Sequence, residues 1–331
     1  MIITRSVQDL IFDDVYLELP ELLPGCELFL KLEGLNPAGS IKLKTANAMV
    51  EDAEERGVLL PGGRVIESSS GNLGISLSVL CASKGYSFIC VTDPNCSPQS
   101  IATMRALGAE VIVVEERDCN NGFLGARIEL IRRLLAANQD LVWLNQYANP
   151  ANPRAHRERT APAIFNNLGP VNYLFIGAGT TGTVMGCTAF FKRFSPSTKV
   201  IAVDAKGSVT FGSAPAPRHI AGIGTSRQPE ICQIDEIGEV MLIDERDAII
   251  MCRWLAKNRG LLTGGSTGSV LSAVLRRSNT IDPGARIVAI SPDVGTHYLS
   301  TIYDDDWVTD RFGMDIVGTE LTEVDLVGLV E

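Results

Sequence analysis

Short apolar segments and amphipathic segments alternate along nearly the whole chain, and that alternation limits the possible folds more than any other feature. Strand patterns recur at 27–33, 64–67, 87–92, 110–114, 142–145, 173–176, 200–204, 239–243 and 286–290. Helical patterns lie between them at 42–57, 73–83, 98–107, 122–137, 154–167, 183–194, 246–257 and 269–277. The periods separate the two kinds: unbroken or alternating apolar runs for strands, a 3.6-residue repeat for helices. Most of the strand segments are β-branched and almost continuously apolar, as strands covered on both faces must be. Alternation of this kind predicts a doubly wound α/β architecture with mostly parallel sheets and helices on both faces.

A chain of 331 residues with 45% apolar content is long enough for two lobes, each with a core. Its net charge of −10 disfavours nucleic acid and anionic membranes as partners. No apolar run reaches membrane-spanning length and Met1 to Asp9 does not read as a signal peptide, so a cytoplasmic location is expected. The eight cysteines (Cys26, Cys81, Cys90, Cys96, Cys119, Cys187, Cys232, Cys252) contain no Cys-x-x-Cys pair and predict free, mostly buried thiols. His156, His219 and His297 are not paired at ligand spacing, so no metal site is expected.

The strand at 27–33 leads through Asn36-Pro37-Ala38-Gly39-Ser40-Ile41 to Lys42, which opens the next helix. Lys42 thereby falls in a first helical turn behind a Pro/Gly turn, at the kind of strand-to-helix junction where α/β proteins keep ligands. The positive end of the helix dipole disfavours an ammonium there and drives the amine toward its neutral, nucleophilic form. Taken alone, a lysine is a solvated surface residue; the loops downstream change its context.

Ser69-Ser70-Gly71-Asn72-Leu73-Gly74 follows the strand at 64–67. Small residues let backbone amides converge on an anion at a helix N-terminus. With no lysine or arginine inside, the loop suits one carboxylate better than a polyphosphate; an ordinary helix cap is the alternative. Gly177-Ala178-Gly179-Thr180-Thr181-Gly182-Thr183 follows the strand at 173–176 and lacks the lysine of a P-loop. It satisfies Gly-x-Gly-x-x-Gly, with Asp204 ending the next strand where a ribose-binding acid would stand, which leaves an NAD-dependent oxidoreductase open. Its mid-chain position and the hydroxyls of Thr180, Thr181 and Thr183 favour a terminal phosphate monoester. Gly264-Gly265-Ser266-Thr267-Gly268 is, by itself, a tight turn with a capping serine. Lysine and loops together describe a cofactor with a phosphate, a neutral hydrogen-bond partner and an aldehyde that an amine can capture. The irregular stretch 205–233 is long enough to be functional. The acidic tail from Trp307 suits a lid, a dimer contact or a frayed end.

In order along the chain from Glu27 to Leu299, these motifs closely resemble the pyridoxal-phosphate β-replacement family that includes cysteine synthase and the catalytic core of cystathionine β-synthase. Asn-Pro-x-Gly-Ser-x-Lys is similar to its cofactor-lysine segment, which implies that Lys42 binds pyridoxal 5′-phosphate and later removes the substrate Cα proton. The carboxylate loop is matched by Ser69, Ser70, Gly71 and Asn72, with Asn72 also implied at the cofactor's ring hydroxyl. The segment Asn145-Gln146-Tyr147-Ala148-Asn149-Pro150-Ala151-Asn152 resembles Gln-Gln-Phe-x-Asn-Pro-Ala-Asn and implies Gln146 as a second carboxylate contact. The phosphate cup is matched by Gly179, Thr180, Thr181, Gly182 and Thr183, and Ser266 matches the serine that faces the pyridine nitrogen in some branches. The resemblance implies a two-lobed fold type II enzyme, tryptophan synthase β-like. Residues 1–36 and 148–331 would form the larger cofactor-binding lobe and 37–147 the smaller mobile lobe. A homodimer is implied by the resemblance alone, as is a transferase acting on small amino acids; no haem extension or regulatory domain is expected.

Departures from the pattern narrow the reading. Leu43-Lys44 stands where the family usually has Asp-Arg, and Leu73 replaces a threonine. In Pro292-Asp293-Val294-Gly295, Val294 occupies the position that holds the pyridine serine in other branches, which favours Ser266 and leaves Asp293 open. Ser226-Arg227 replaces the Gly and aromatic residue of sulfide-using enzymes. Arg227, Leu73 and the Asp204-Ala205-Lys206-Gly207-Ser208 segment are most similar to a branch that joins O-phospho-L-serine to L-glutamate on the way to 2,3-diaminopropionate. A guanidinium can bind the extra anionic oxygens of such substrates bidentately; the plain alternative for Arg227 is a surface ion pair. Cysteine synthesis from O-acetylserine or O-phosphoserine and sulfide is the second expectation.

Overall fold

A computed structural model describes residues 3–117, 122–314 and 316–317; Cys119 and the tail beyond 317 lie outside them. In chain order the strands are β1 (Tyr16–Glu18), β2 (Glu27–Leu32), β3 (Arg64–Ser68), β4 (Ser87–Thr92), β5 (Glu110–Val113), β6 (Leu141–Trp143), β7 (Tyr173–Gly177), β8 (Lys199–Ala205), β9 (Glu239–Ile243) and β10 (Arg286–Ser291). The helices are α1 (Lys42–Glu55), α2 (Asn72–Lys84), α3 (Pro98–Ala106), α4 (Leu124–Ala137), α5 (Ala151–Ala155), α6 (Ala161–Leu168), α7 (Gly182–Phe194), α8 (Glu245–Arg259), α9 (Gly265–Arg277) and α10 (Asp305–Phe312). Contacts divide the chain into two compact units, Met1–Ile11 with Asn36–Ala155 and Phe12–Leu35 with His156–Glu331.

In the first unit a four-stranded sheet runs β5-β4-β3-β6 with every neighbouring pair parallel. Val65, Phe88 and Cys90 form a core with Leu43, Ala46, Met49 and Val50 of α1 and Leu73, Leu77 and Leu80 of α2. Their strand neighbours Ile66, Ile89 and Val91 join a second core with Ile131 of α4. Alternate residues thus enter opposite buried layers, which is why these strands read as unbroken apolar runs. Ile11 and Ala151 belong to the first core, so this unit takes in N-terminal residues and α5 besides most of 37–147.

The second unit has a six-stranded sheet ordered β1-β2-β10-β7-β8-β9, parallel except for the β1–β2 pair. Tyr173, Phe175, Ile201, Val203, Ile287 and Ala289 share a core with Ala248 and Cys252 of α8 and Val270, Leu271 and Val274 of α9. The intervening Leu174, Ile176, Ala202, Val288 and Ile290 are buried as well. The doubly wound α/β architecture is present, with three differences from the sequence reading. Edge strand β1 is too short to show a period. The helix expected at 154–167 is interrupted by a π-turn over His156–Thr160. Pro162, which has no amide hydrogen to bond a preceding carbonyl, stands just beyond that turn. Helix α9 begins at Gly265, so its glycine-rich loop is itself the helix N-terminus.

The described cysteines are free, Cys26 half-buried and the others buried. Among the described residues no helix is long and apolar enough to cross a membrane.

Candidate active site

Lys42 is the first residue of α1, and the turn before it is built by Asn36. The Asn36 side chain donates to the Ser40 carbonyl (2.9 Å) and accepts the Ala38 amide (3.0 Å), while Gly39 N–H donates to the Asn36 carbonyl (2.9 Å). Gly39 has φ +69°, a left-handed conformation that favours glycine. Asn, Gly and the position of Lys42 are therefore one local design: an Asx turn that delivers the lysine to the head of a helix. Lys42 is half-buried, and the Ser40 hydroxyl, close in sequence, is buried without a hydrogen-bond partner among the described residues.

At the end of β3, the Ser69 hydroxyl accepts the amides of Gly74 (2.9 Å) and Gly71 (3.3 Å), so it serves the start of α2. Ser70, Gly71 and Asn72 are half-buried and Asn72 opens α2. Gln146 is buried; its side-chain amide donates to the Ser68 carbonyl at 3.0 Å. Asn152 donates to the Gln146 carbonyl (2.8 Å) and accepts from Thr45 of α1 (3.3 Å). The first unit thus brings together the segments of Lys42, Ser69–Asn72 and Gln146, and sets the Gln146 side chain against the loop backbone.

In the second unit, Gly177 through Thr183 joins β7 to α7. Thr181 has φ +67°, strained for a β-branched residue, and its hydroxyl is buried without a conventional hydrogen bond among the described residues, its neighbour being the Cys232 thiol. A Cβ on Gly179 would come within 3.3 Å of the Gly222 carbonyl, which keeps that position small. The Thr183 hydroxyl meets His156 Nε2 at 3.3 Å, and His156 Nδ1 meets the Thr160 hydroxyl at 3.1 Å. His156 is buried; histidine spacing in the sequence gave no hint of it, because its partners come from the π-turn and from α7. Hydroxyls and free amides at the N-terminus of a long helix fit a phosphate. Thr181→Gly is expected to remove backbone strain of about 1 kcal/mol yet release the phosphate-bearing cofactor faster; melting of the cofactor-free protein and a cofactor-release assay check the two effects.

Ser266 is buried in the first turn of α9. A Cβ on Gly177 would lie 3.6 Å from that of Ser266, which places the serine beside the end of β7. The bridge between Thr263 and Val294 and the bond from Gly295 N–H to the Leu262 carbonyl (2.9 Å) hold 292–295 against the start of α9. Asp293, buried, accepts from Tyr298 Oη at 2.5 Å. Arg227 is half-buried and pairs with Glu230, while Thr225 Oγ1 donates to the Arg227 carbonyl at 2.6 Å. Asp204 is fully buried, accepts the Ala205 amide at 2.8 Å, and is held above the usual carboxylate range by loss of solvent. An acid in that setting organises the 205–210 turn and is not presented to a ribose.

Residues 8–293 match the family model described as pyridoxal-phosphate dependent enzyme. The chain is 41% identical over 309 residues to N-(2-amino-2-carboxyethyl)-L-glutamate synthase of Ralstonia nicotianae, covering 92% of this chain and 91% of that one. Among solved structures it is similar to O-acetylserine dependent cystathionine β-synthase of Helicobacter pylori (TM-score 0.85, 29% identity, 92% of this chain and 100% of that one). It is also similar to O-ureido-L-serine synthase (TM-score 0.85, 28% identity, 98% and 99%). The dinucleotide reading of Gly177-Ala178-Gly179 is overturned by the family match, in keeping with the burial of Asp204. Sequence, sheet topology and these likenesses converge: the chain belongs to the pyridoxal-phosphate dependent enzymes, in the fold type II class of cysteine synthase-like proteins.

Proposed function

We propose that the enzyme catalyses β-replacement on an O-activated L-serine, O-phospho-L-serine, with L-glutamate as the entering nucleophile, giving N-(2-amino-2-carboxyethyl)-L-glutamate for 2,3-diaminopropionate synthesis. The observation that carries this reading is the 41% identity, across nine-tenths of both chains, to a synthase named for that product. Lys42 would bind the cofactor, Gly179, Thr180, Thr181, Gly182 and Thr183 its phosphate, Asn72 its ring hydroxyl and Ser266 its pyridine nitrogen. When bound, pyridoxal phosphate supplies an electron sink for the Cα carbanion.

The chain's own residues do the rest. The Lys42 amine takes the Cα proton. Ser69, Ser70, Gly71, Asn72 and Gln146 orient the donor carboxylate. A serine at the ring nitrogen is neutral and does not hold a proton there as a carboxylate would, which favours loss of the β-substituent over transamination. Arg227 would exchange its Glu230 partner for a substrate carboxylate or phosphate. We place the enzyme in the cytoplasm as a homodimer.

A second reading, cysteine synthesis with sulfide, has support in the likeness to an O-acetylserine dependent enzyme and to a hydrogen sulfide-producing enzyme of Fusobacterium nucleatum (TM-score 0.84, 32% identity, 90% and 99%). The deciding experiment offers purified enzyme O-phospho-L-serine with either glutamate or sulfide. Glutamate consumption with release of phosphate, and a KM for glutamate raised about tenfold in Arg227→Ala, is the expected result. Turnover with sulfide alone would transfer the chain to the second reading.

A further inference from the structure

The substrate-carboxylate loop hangs on one buried acid, Glu67 at the end of β3. Its Oε1 accepts the Ser68 backbone N–H (2.8 Å) and the Trp143 indole N–H (3.2 Å), and its Oε2 accepts the Gln146 backbone N–H (3.2 Å). The Gln146 side chain returns a bond to the Ser68 carbonyl, and the Cys90 thiol donates to the Ser69 carbonyl at 3.4 Å. Glu67 therefore ties the ends of β3 and β6 together where the loop begins. We propose that Glu67, as a carboxylate, is the positioning residue that sets donor affinity by fixing Ser68–Asn72 against Gln146. This rests on the loop binding the donor carboxylate.

Only an ionised carboxylate offers acceptors to all three N–H groups without a proton of its own. Burial pushes Glu67 up to about 7, against the lowering effect of its hydrogen bonds and of Arg127. The groups facing it are Arg127 of α4, itself paired with Asp93 (3.3 Å), and the thiol of Cys90 on β4, whose own neighbour is Cys96. The strap is complete above that value, so donor affinity rises as pH passes through 7. Stability runs the other way. The folded chain holds the Glu67 proton more tightly than the unfolded one, so this group costs stability as pH rises from about 4.5 to about 7.

Glu67→Gln keeps the shape but turns an NH2 toward a backbone N–H. The expected results are a donor KM raised about tenfold with a smaller change in kcat, and loss of the donor-affinity rise near pH 7. The melting profile should also lose its slope over the same range, and amide exchange should quicken at Ser68 and Gln146, read by mass spectrometry on the holoenzyme. Ser70→Ala separates the two ideas. If it raises donor KM while Glu67→Gln changes neither KM nor exchange, Glu67 positions nothing and the proposal fails. If exchange quickens in Glu67→Gln but donor KM moves in neither variant, the strap exists without a substrate to hold; the carboxylate-loop reading then fails and takes the proposal with it.

Discussion

Lys42→Ala is expected to leave a folded protein that has lost its covalently held cofactor, its visible absorbance band and at least about a thousandfold in turnover. The fold should survive because the turn ahead of α1 is made by Asn36 and Gly39, and the helix is anchored by Leu43, Ala46, Met49 and Val50. Lys42 itself is half-buried at the helix head and contributes no side chain to that core. Under the proposed function, loss of the amine would remove both the attachment point and the group that takes the Cα proton. Small primary amines added to the variant should restore part of the proton transfer. A variant with full activity and an unaltered spectrum would move the chemistry to another residue.

Gly268→Ala is expected to be the most damaging single-methyl change in the second unit. The added Cβ would stand 2.0 Å from the Ala248 carbonyl oxygen, 2.8 Å from its carbon and 2.8 Å from Cys252 Sγ. Backbone atoms of α8 cannot rotate away as a side chain could, so α8 and α9 must separate. Alanine in place of glycine gains about 1 kcal/mol of helix propensity. Separating two buried helices costs more, about 3 kcal/mol or above in net terms. A fall in melting temperature on the order of 10 °C follows, and because α9 begins at Gly265, next to Ser266, the cofactor spectrum should shift as well. An unchanged or higher melting temperature would show that the two helices are not held at contact distance through this glycine.

The sequence was legible where one local rule set the outcome. Parallel strands such as the buried β4 and the edge strand β9 reveal themselves through unbroken apolar runs, and 87–92 and 239–243 match the structure residue for residue. The Asn36–Lys42 turn was readable because Asn, Pro and Gly act within their own neighbourhood. Features that depend on distant partners were not. The π-turn at His156–Thr160 is accompanied by a hydrogen bond between His156 and Thr183 of α7, far along the chain. Glu67 only closes the strand pattern at 64–67 in the sequence; its partners Trp143 and Gln146 are known only once β3 and β6 lie side by side. Arg227 carries a pairing with Glu230 that local sequence offers as readily as a substrate contact.

The most direct measurement is borohydride reduction of the purified holoenzyme followed by peptide mapping. A pyridoxyl phosphate mass on the peptide containing Lys42, and on no other lysine, is the predicted outcome. Label on Lys31, Lys44 or another amine, or no label at all, would contradict the account at its root.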